Sequence, residues 1–202
     1  MPKAADLRTG TDALGILVYG PRMLVVAATP MELSFVEGAA TLCCGIGPVE
    51  AALATARALA AARPAGILHI GLAGARTLVP GSLVLGEQAL YADLAGLAGT
   101  LSGKTSEEPD AALLAAARRV LPEALVLPIA TTARVGGGHE DAEVEAMEGF
   151  GVLRAAAAAR VPAIELRAVS NAYDADRADW RIDLALDALA RALPTLLEAL
   201  DA

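Results

Sequence analysis

"MLVVAAT", residues 23–29, places six apolar residues in a row with no polar alternation. A strand with one wet face alternates between apolar and polar positions. One buried on both faces reads as a short continuous apolar run. The stretch therefore predicts a strand inside a sheet that helices cover on both sides. Further strands are read in "AGILHIGLAGA" (65–75), also buried and ending in a small-residue loop, in the longer "SLVLGEQALYAD" (82–93), and in "ALVLPIATTA" (124–133) and "AIELRAVS" (163–170). Between them lie helical stretches: "PVEAALATARALAAA", where Pro48 can open a first turn, "DAALLAAARRVL" (110–121), an Ala-rich segment over 150–160, and a C-terminal helix near 180–200. Strands alternating with helices predict a single α/β domain with a mixed, mostly parallel central sheet flanked by helices. The 202 residues suit one such domain. Residues 1–21 are set apart as an N-terminal extension of unreadable role, and 22–202 form the domain.

Composition narrows the function. The hydrophobic fraction is 55% and the aromatic fraction only 3%, so the core is built from Ala, Val and Leu brought close together. A net charge of −8 argues against nucleic acid, because binding phosphates needs a basic face. Arg57, Arg63 and Arg76 interrupt the longest apolar candidate for a membrane span. Residues 1–21 offer only the short apolar "ALGILVYG", which lacks the parts of a secretory signal, so the expected location is the cytoplasm. Cys43 and Cys44 are adjacent, a poor arrangement for a disulfide, and are expected to be buried thiols. His69 and His139 lie far apart without ligand spacing, so no metal is expected.

Two glycine motifs invite ligand readings. "GIGPVE" (45–50) carries Glu50 where a dinucleotide fingerprint needs its third small residue; it is read as a tight strand-to-helix turn beside a pocket. "GGG" (136–138) lacks the Lys-Ser/Thr of a P-loop and is read as a surface loop. The carboxylates carry more. Glu32 follows the first strand in "AATPMELSFV", and Glu148 sits in "EAMEGFGV". Each alone is explained as a first-turn charge at a positive helix end. In sheets of this kind, however, ligands collect at the carboxyl ends of strands. Glu32, Ala73, Gly74, Glu148 and Asn171 all fall just after a predicted strand. Two carboxylates and an amide meeting there predict a pocket that recognises hydroxyls and activates water.

With these residues in hand, "VVAATPMEL", "GIGPVEAALA", "IGLAGA", "PGSLVLGEQALYAD", "EAMEGFGV" and "VPAIELRAVSN" occur in an order that resembles the purine nucleoside phosphorylase/nucleosidase family over roughly residues 22–200. They are most similar to its hydrolase branch, which includes the methylthioadenosine/adenosylhomocysteine nucleosidases and the futalosine hydrolases. The resemblance implies hydrolysis of an N-glycosidic bond. Glu148 would hold the ribose 2′- and 3′-hydroxyls, Met147 would pack on the sugar, Glu32 would deprotonate the attacking water, and Asn171 would face purine N7 and the 6-substituent. Ile46, Ala73, Gly74 and Ser170 would line the substrate, as would Gly149 and Phe150. Arg167 would orient Glu148, or form a purely structural ion pair. The resemblance also implies a homodimer or higher homo-oligomer, and neither metal nor organic cofactor.

Two departures from the family pattern sharpen the expectation. Family phosphorylases hold phosphate with an Arg and a Ser near the third strand's end, where this chain has His69 and Leu72, so water is the expected nucleophile. Adenine-specific members place Asp where this chain has Asn171. An amide NH₂ can donate to N7 or to a 6-oxo group, and hypoxanthine has the 6-oxo group that adenine lacks. The expected substrate is therefore futalosine, cleaved to hypoxanthine and dehypoxanthine futalosine in menaquinone biosynthesis. The alternatives are a methylthioadenosine/adenosylhomocysteine nucleosidase and a non-catalytic purine-nucleoside binding module. Val135 lies where the family has a base-stacking aromatic; Phe150 and Tyr91 are candidates in its place, with core packing as the competing role. Futalosine carries a benzoate, whose carboxylate could meet Arg134, Arg154, Arg177, Arg181 or an arginine from a partner subunit.

Overall fold

In the computed structural model, residues 10–11, 17–18, 22–94, 104–136 and 142–202 are described. Of the N-terminal extension this leaves a two-residue antiparallel pair, β1 (Gly10–Thr11) and β2 (Leu17–Val18). His139 and most of "GGG" lie outside the described residues. The domain then runs β3 (Met23–Ala27), α1 (Pro30–Leu33), β4 (Ala40–Cys43), α2 (Pro48–Ala61), β5 (Gly66–Ala75) and β6 (Leu83–Tyr91). It continues β7 (Ser106–Glu107), α3 (Ala111–Val120), β8 (Leu125–Thr131), β9 (Val144–Ala146), α4 (Gly149–Ala159), β10 (Ala163–Ala172) and α5 (Ile182–Leu200).

All five residues of β3 are buried, as an unalternating apolar run requires, and nine of ten in β10 are buried although Glu165, Arg167, Ser170 and Asn171 are among them. Leu24 and Val26 point to one side, toward Ala51 of α2 and Val152, Leu153 and Ala156 of α4. Met23, Val25 and Ala27 point to the other, toward Ala117 of α3 and Leu189, Leu193 and Leu196 of α5. Small residues bring the layers close. A Cβ on Gly151 of α4 would sit 2.4 Å from the Pro48 carbonyl oxygen, so α2 and α4 touch backbone to backbone.

The sheet is mixed, and five of its strands close a circuit. β5 pairs with β10, β10 with β6, β6 with β8, β8 with β9, and β9 returns to β5. β3 and β4 extend it from the outer side of β5. The small-residue end of 65–75, expected as a loop, is strand through Ala75, because β10 and β9 both bond to it. Ala73, Gly74 and Asn171 therefore lie within strands rather than after them. β9 runs antiparallel to β5, with Gly74 opposite Glu145, so the chain passes back along β5 as it reaches Glu148.

Cys44 is buried, whereas Cys43 is exposed, contrary to expectation. β4 is the outermost strand of its side and alternates in exposure, which turns Cys43 outward. Among the described residues no helix is long and apolar enough to cross a membrane.

Candidate active site

Thr29 and Glu32 open α1 as a capping box, each side chain bonding the other's backbone N–H. This explains why Glu follows the strand at that spacing, and it also fixes the carboxylate. Glu32 Oε2 accepts from the Thr29 N–H at 3.0 Å and the Thr29 hydroxyl at 2.7 Å; Oε1 accepts from the Leu72 N–H at 3.0 Å. A carboxylate has about four acceptor sites. Three are filled by donors of the protein, and one remains for a ligand.

Glu148 is reached from the other side. The expected turn at 45–50 is present, with Gly47 at φ 95°, a conformation that favours glycine. There it caps α2 and donates its N–H to Glu148 Oε1 at 3.0 Å. Burial pushes the Glu148 carboxyl above its ordinary value, and Arg167, with Nη1 3.5 Å from Oε2, pulls it part of the way back.

Arg167 is wholly buried behind both glutamates. Its Nε bonds Glu165 Oε1 at 2.7 Å, Nη1 donates to the Leu72 carbonyl at 3.4 Å, and Nη2 meets His69 Nε2. Burial works against the guanidinium's charge, but Glu165, Glu148 and Glu32 outweigh it and hold the pKa above the usual range. His69 is driven the opposite way, first by burial and then by Arg167, and is neutral. Its Nδ1–H donates to the Val26 carbonyl at 3.0 Å, which leaves the Nε2 lone pair to accept from Arg167. Arg167 stands opposite Gly71 in the β5–β10 register, and a Cβ there would sit 2.2 Å from its Nη1. Gly149 serves Glu165 similarly: its Cβ would fall 2.4 Å from both carboxylate oxygens.

Asn171 is aimed by a β-bulge. Pairing between β5 and β10 slips between Val169 and Asn171, so Ser170 is an extra residue in the ladder. Asn171 Oδ1 accepts from the Ser170 hydroxyl at 2.8 Å, and Nδ2 donates to the Ala172 carbonyl at 2.8 Å. The opposite amide orientation would set two acceptors against each other at Ala172. The amide thus holds one N–H for its neighbour and keeps one for a ligand.

These groups face a cavity of about 370 Å³, ample for a small molecule. Its buried wall includes Glu32, Glu145, Glu148, Ser170 and Asn171, with Ala73 and Gly74, and the half-buried Met147 lies beside them. Its rim is apolar and more exposed: Met31, Ile46, Val135, Trp180 and Ile182, joined by Arg177. Three residues expected at the ligand stand elsewhere. Phe150 stacks on Tyr91, centroids 5.0 Å apart, inside the α2–α4 core. Gly149 and Arg167 lie behind the carboxylates. Of the four candidate arginines only Arg177 is on the wall: Arg154 pairs with Glu107 at 3.2 Å, Arg181 with Asp183 at 3.5 Å, and Arg134 is exposed away from it. Sequence reasoning did not bring Met31, Thr132, Glu145 or Ile182 to the site. A second hollow, about 580 Å³ between α3, α5 and the start of β6, is larger, but its wall gathers only Glu123 and Arg191 as ionisable groups.

An α/β fold that closes part of its sheet into a circuit and gathers two fixed carboxylates and an oriented amide over β5 defines a small-molecule enzyme scaffold, and the chain belongs to the phosphorylase superfamily, whose profile matches residues 34–202. A segment of 64 residues is 56% identical to the futalosine hydrolase of Streptomyces coelicolor; it covers 31% of this chain and 27% of that protein's length. Among solved structures, S-adenosylhomocysteine nucleosidase from Streptococcus pyogenes in complex with 5-methylthiotubericidin superposes with a TM-score of 0.74 at 24% identity, over 89% of this chain and 97% of that one. Futalosine hydrolase of Helicobacter pylori gives 0.75 at 18% identity, over 87% and 97%. At these identities the structural likeness concerns the fold.

Proposed function

We propose that the protein hydrolyses the N-glycosidic bond of futalosine, releasing hypoxanthine and dehypoxanthine futalosine. The observation that carries this reading is the pairing of Glu32 and Glu148 with an amide-oriented Asn171 on one cavity. On this reading Glu148 accepts hydrogen bonds from the ribose 2′- and 3′-hydroxyls while Met147 packs against the sugar. As the C1′–N9 bond breaks, its electron pair goes to the purine and the ribose gains oxocarbenium character. The buried carboxylates stabilise that positive charge. A water attacks C1′ and gives its proton to the remaining acceptor site of Glu32. The free Asn171 N–H donates to N7 or to the 6-oxo group, drawing charge onto the leaving base.

Water is favoured over phosphate by the same contacts. The Leu72 N–H is taken by Glu32, His69 is neutral, and the buried cation of Arg167 is already matched by carboxylates. The partial identity to a futalosine hydrolase supports the choice of substrate. The second reading is a methylthioadenosine/adenosylhomocysteine nucleosidase, which the fold favours equally and the donor face of Asn171 opposes. We place the enzyme in the cytoplasm as a homodimer needing no cofactor. Ile46, Val49 and Leu53, 61%, 71% and 55% exposed, make an apolar stripe that suits a subunit contact and would yield a dimer mass in light scattering.

The deciding experiment incubates the protein with futalosine, methylthioadenosine and inosine, with and without phosphate, and follows free base by chromatography. Phosphate-independent release of hypoxanthine from futalosine supports the proposal. Adenine release from methylthioadenosine supports the second reading, and saturable binding without release means a binding module.

A further inference from the structure

The rim of the cavity holds a cation that the chemistry over Glu32 and Glu148 does not use. Arg177 sits in a short 3₁₀ turn, Arg177–Asp179, in the connection from β10 to α5. Its guanidinium carbon lies 5.0 Å from the centre of the Trp180 ring. That ring is itself fixed, because its Nε1–H donates to the Ala175 carbonyl at 3.2 Å. The turn is tied to the catalytic strand by the Arg181 N–H, which donates to the Ser170 carbonyl at 2.8 Å. No carboxylate lies within ion-pair distance of Arg177 among the described residues. Arg177 and Trp180 both line the cavity, next to the apolar side chains of Met31, Ile46 and Ile182.

A flat guanidinium laid on an indole keeps its N–H edge free to meet a planar anion, and the pairing limits the rotamer freedom lost on binding. The apolar wall beside it suits an aromatic ring. The acidic inner wall excludes an anion there, so the anionic end of a ligand belongs at the rim. We infer that Arg177, steadied by Trp180, binds the carboxylate of an aryl-carboxylate extension on the nucleoside, and so selects substrates that carry one. This rests on the futalosine reading above, whose benzoate is such a group.

The test compares futalosine, its benzoate methyl ester and inosine as substrates of the wild type, Arg177→Ala and Arg177→Lys. A charge-assisted contact at a partly exposed rim predicts that Arg177→Ala lowers kcat/KM for futalosine about tenfold, mostly through KM. Arg177→Lys should recover part of that loss. The ester and inosine should be cleaved equally well by all three proteins. Equal losses on futalosine and its ester, or no loss on either, would overturn the inference while leaving futalosine hydrolysis intact. If the wild type releases no hypoxanthine from futalosine, the functional reading fails instead. Calorimetry then judges Arg177: it must bind futalosine more tightly than the ester, and Arg177→Ala must abolish the difference. No binding, or no difference, overturns the inference.

Discussion

Replacing Arg167 with Met tests the charge arrangement behind the site. The guanidinium is fully buried and touches Glu165 at 2.7 Å and Glu148 at 3.5 Å. Met fills much of the volume but leaves both carboxylates without their cation. Removing one partner of a buried pair costs about 3–5 kcal/mol, because an uncompensated charge stays in a low-dielectric site. In a domain of this size each kcal/mol lowers Tm by about 2–4 °C, so the loss should be about 6–20 °C by calorimetry.

The penalty should also depend on pH. Glu148 is held above its ordinary value by burial, and Arg167 opposes that rise. Without Arg167 its folded pKa climbs further. A carboxyl whose folded pKa exceeds its unfolded value binds more protons when folded, so stability falls as pH rises between the two values. The Tm gap between variant and wild type should therefore narrow from about pH 8 to about pH 5. The double variant Arg167→Met/Glu165→Gln should be more stable than Arg167→Met alone. A loss below about 1 kcal/mol, or a gap that does not change with pH, would refute the view that Arg167 offsets these carboxylates.

Glu32→Gln should lower kcat on the order of 10²-fold or more through loss of the general base, with an unchanged circular dichroism spectrum; unaltered turnover would remove Glu32 from that role. Asn171→Asp should shift base preference from hypoxanthine toward adenine, read as the ratio of bases released from paired nucleosides. The 2.4 Å approach to the Pro48 carbonyl predicts that Gly151→Ala destabilises by about 1–3 kcal/mol through separation of α2 and α4, measured by urea unfolding.

Much of this architecture is legible because the long strands are predominantly apolar and the helices open at punctuating residues such as Pro48. β9 is implied only by the strand end placed before Glu148, not bounded by its own pattern, because three residues with Glu145 at the centre carry no periodic signal. The bulge at Ser170 has none either; it arises from pairing with β5, which a single strand's sequence does not encode. Phe150 is a candidate base-stacking aromatic by sequence, with core packing as its competing role. At the start of α4, however, its side chain turns into the core and meets Tyr91 rather than the cavity. The buried ion pair had a readable trace. Glu165 and Arg167 stand two apart in an apolar strand, hence on one face, where opposite charges can afford burial only together.

That pair also bears on why an arginine so near the carboxylates does not make a phosphate site. Glu165 occupies Nε, the Leu72 carbonyl and Glu148 take Nη1, and the His69 lone pair takes Nη2. An arginine presents a fixed fork of donors, and each branch here already has a partner inside the protein. With His69 neutral, Glu32, Glu148 and Glu165 outnumber the single cation when ionised. An incoming phosphate would meet net negative charge and no free donor fork, whereas a ribose acquiring positive charge would be stabilised by that field. The same buried arginine thus holds the carboxylates in place without cancelling the charge on which the proposed hydrolysis depends.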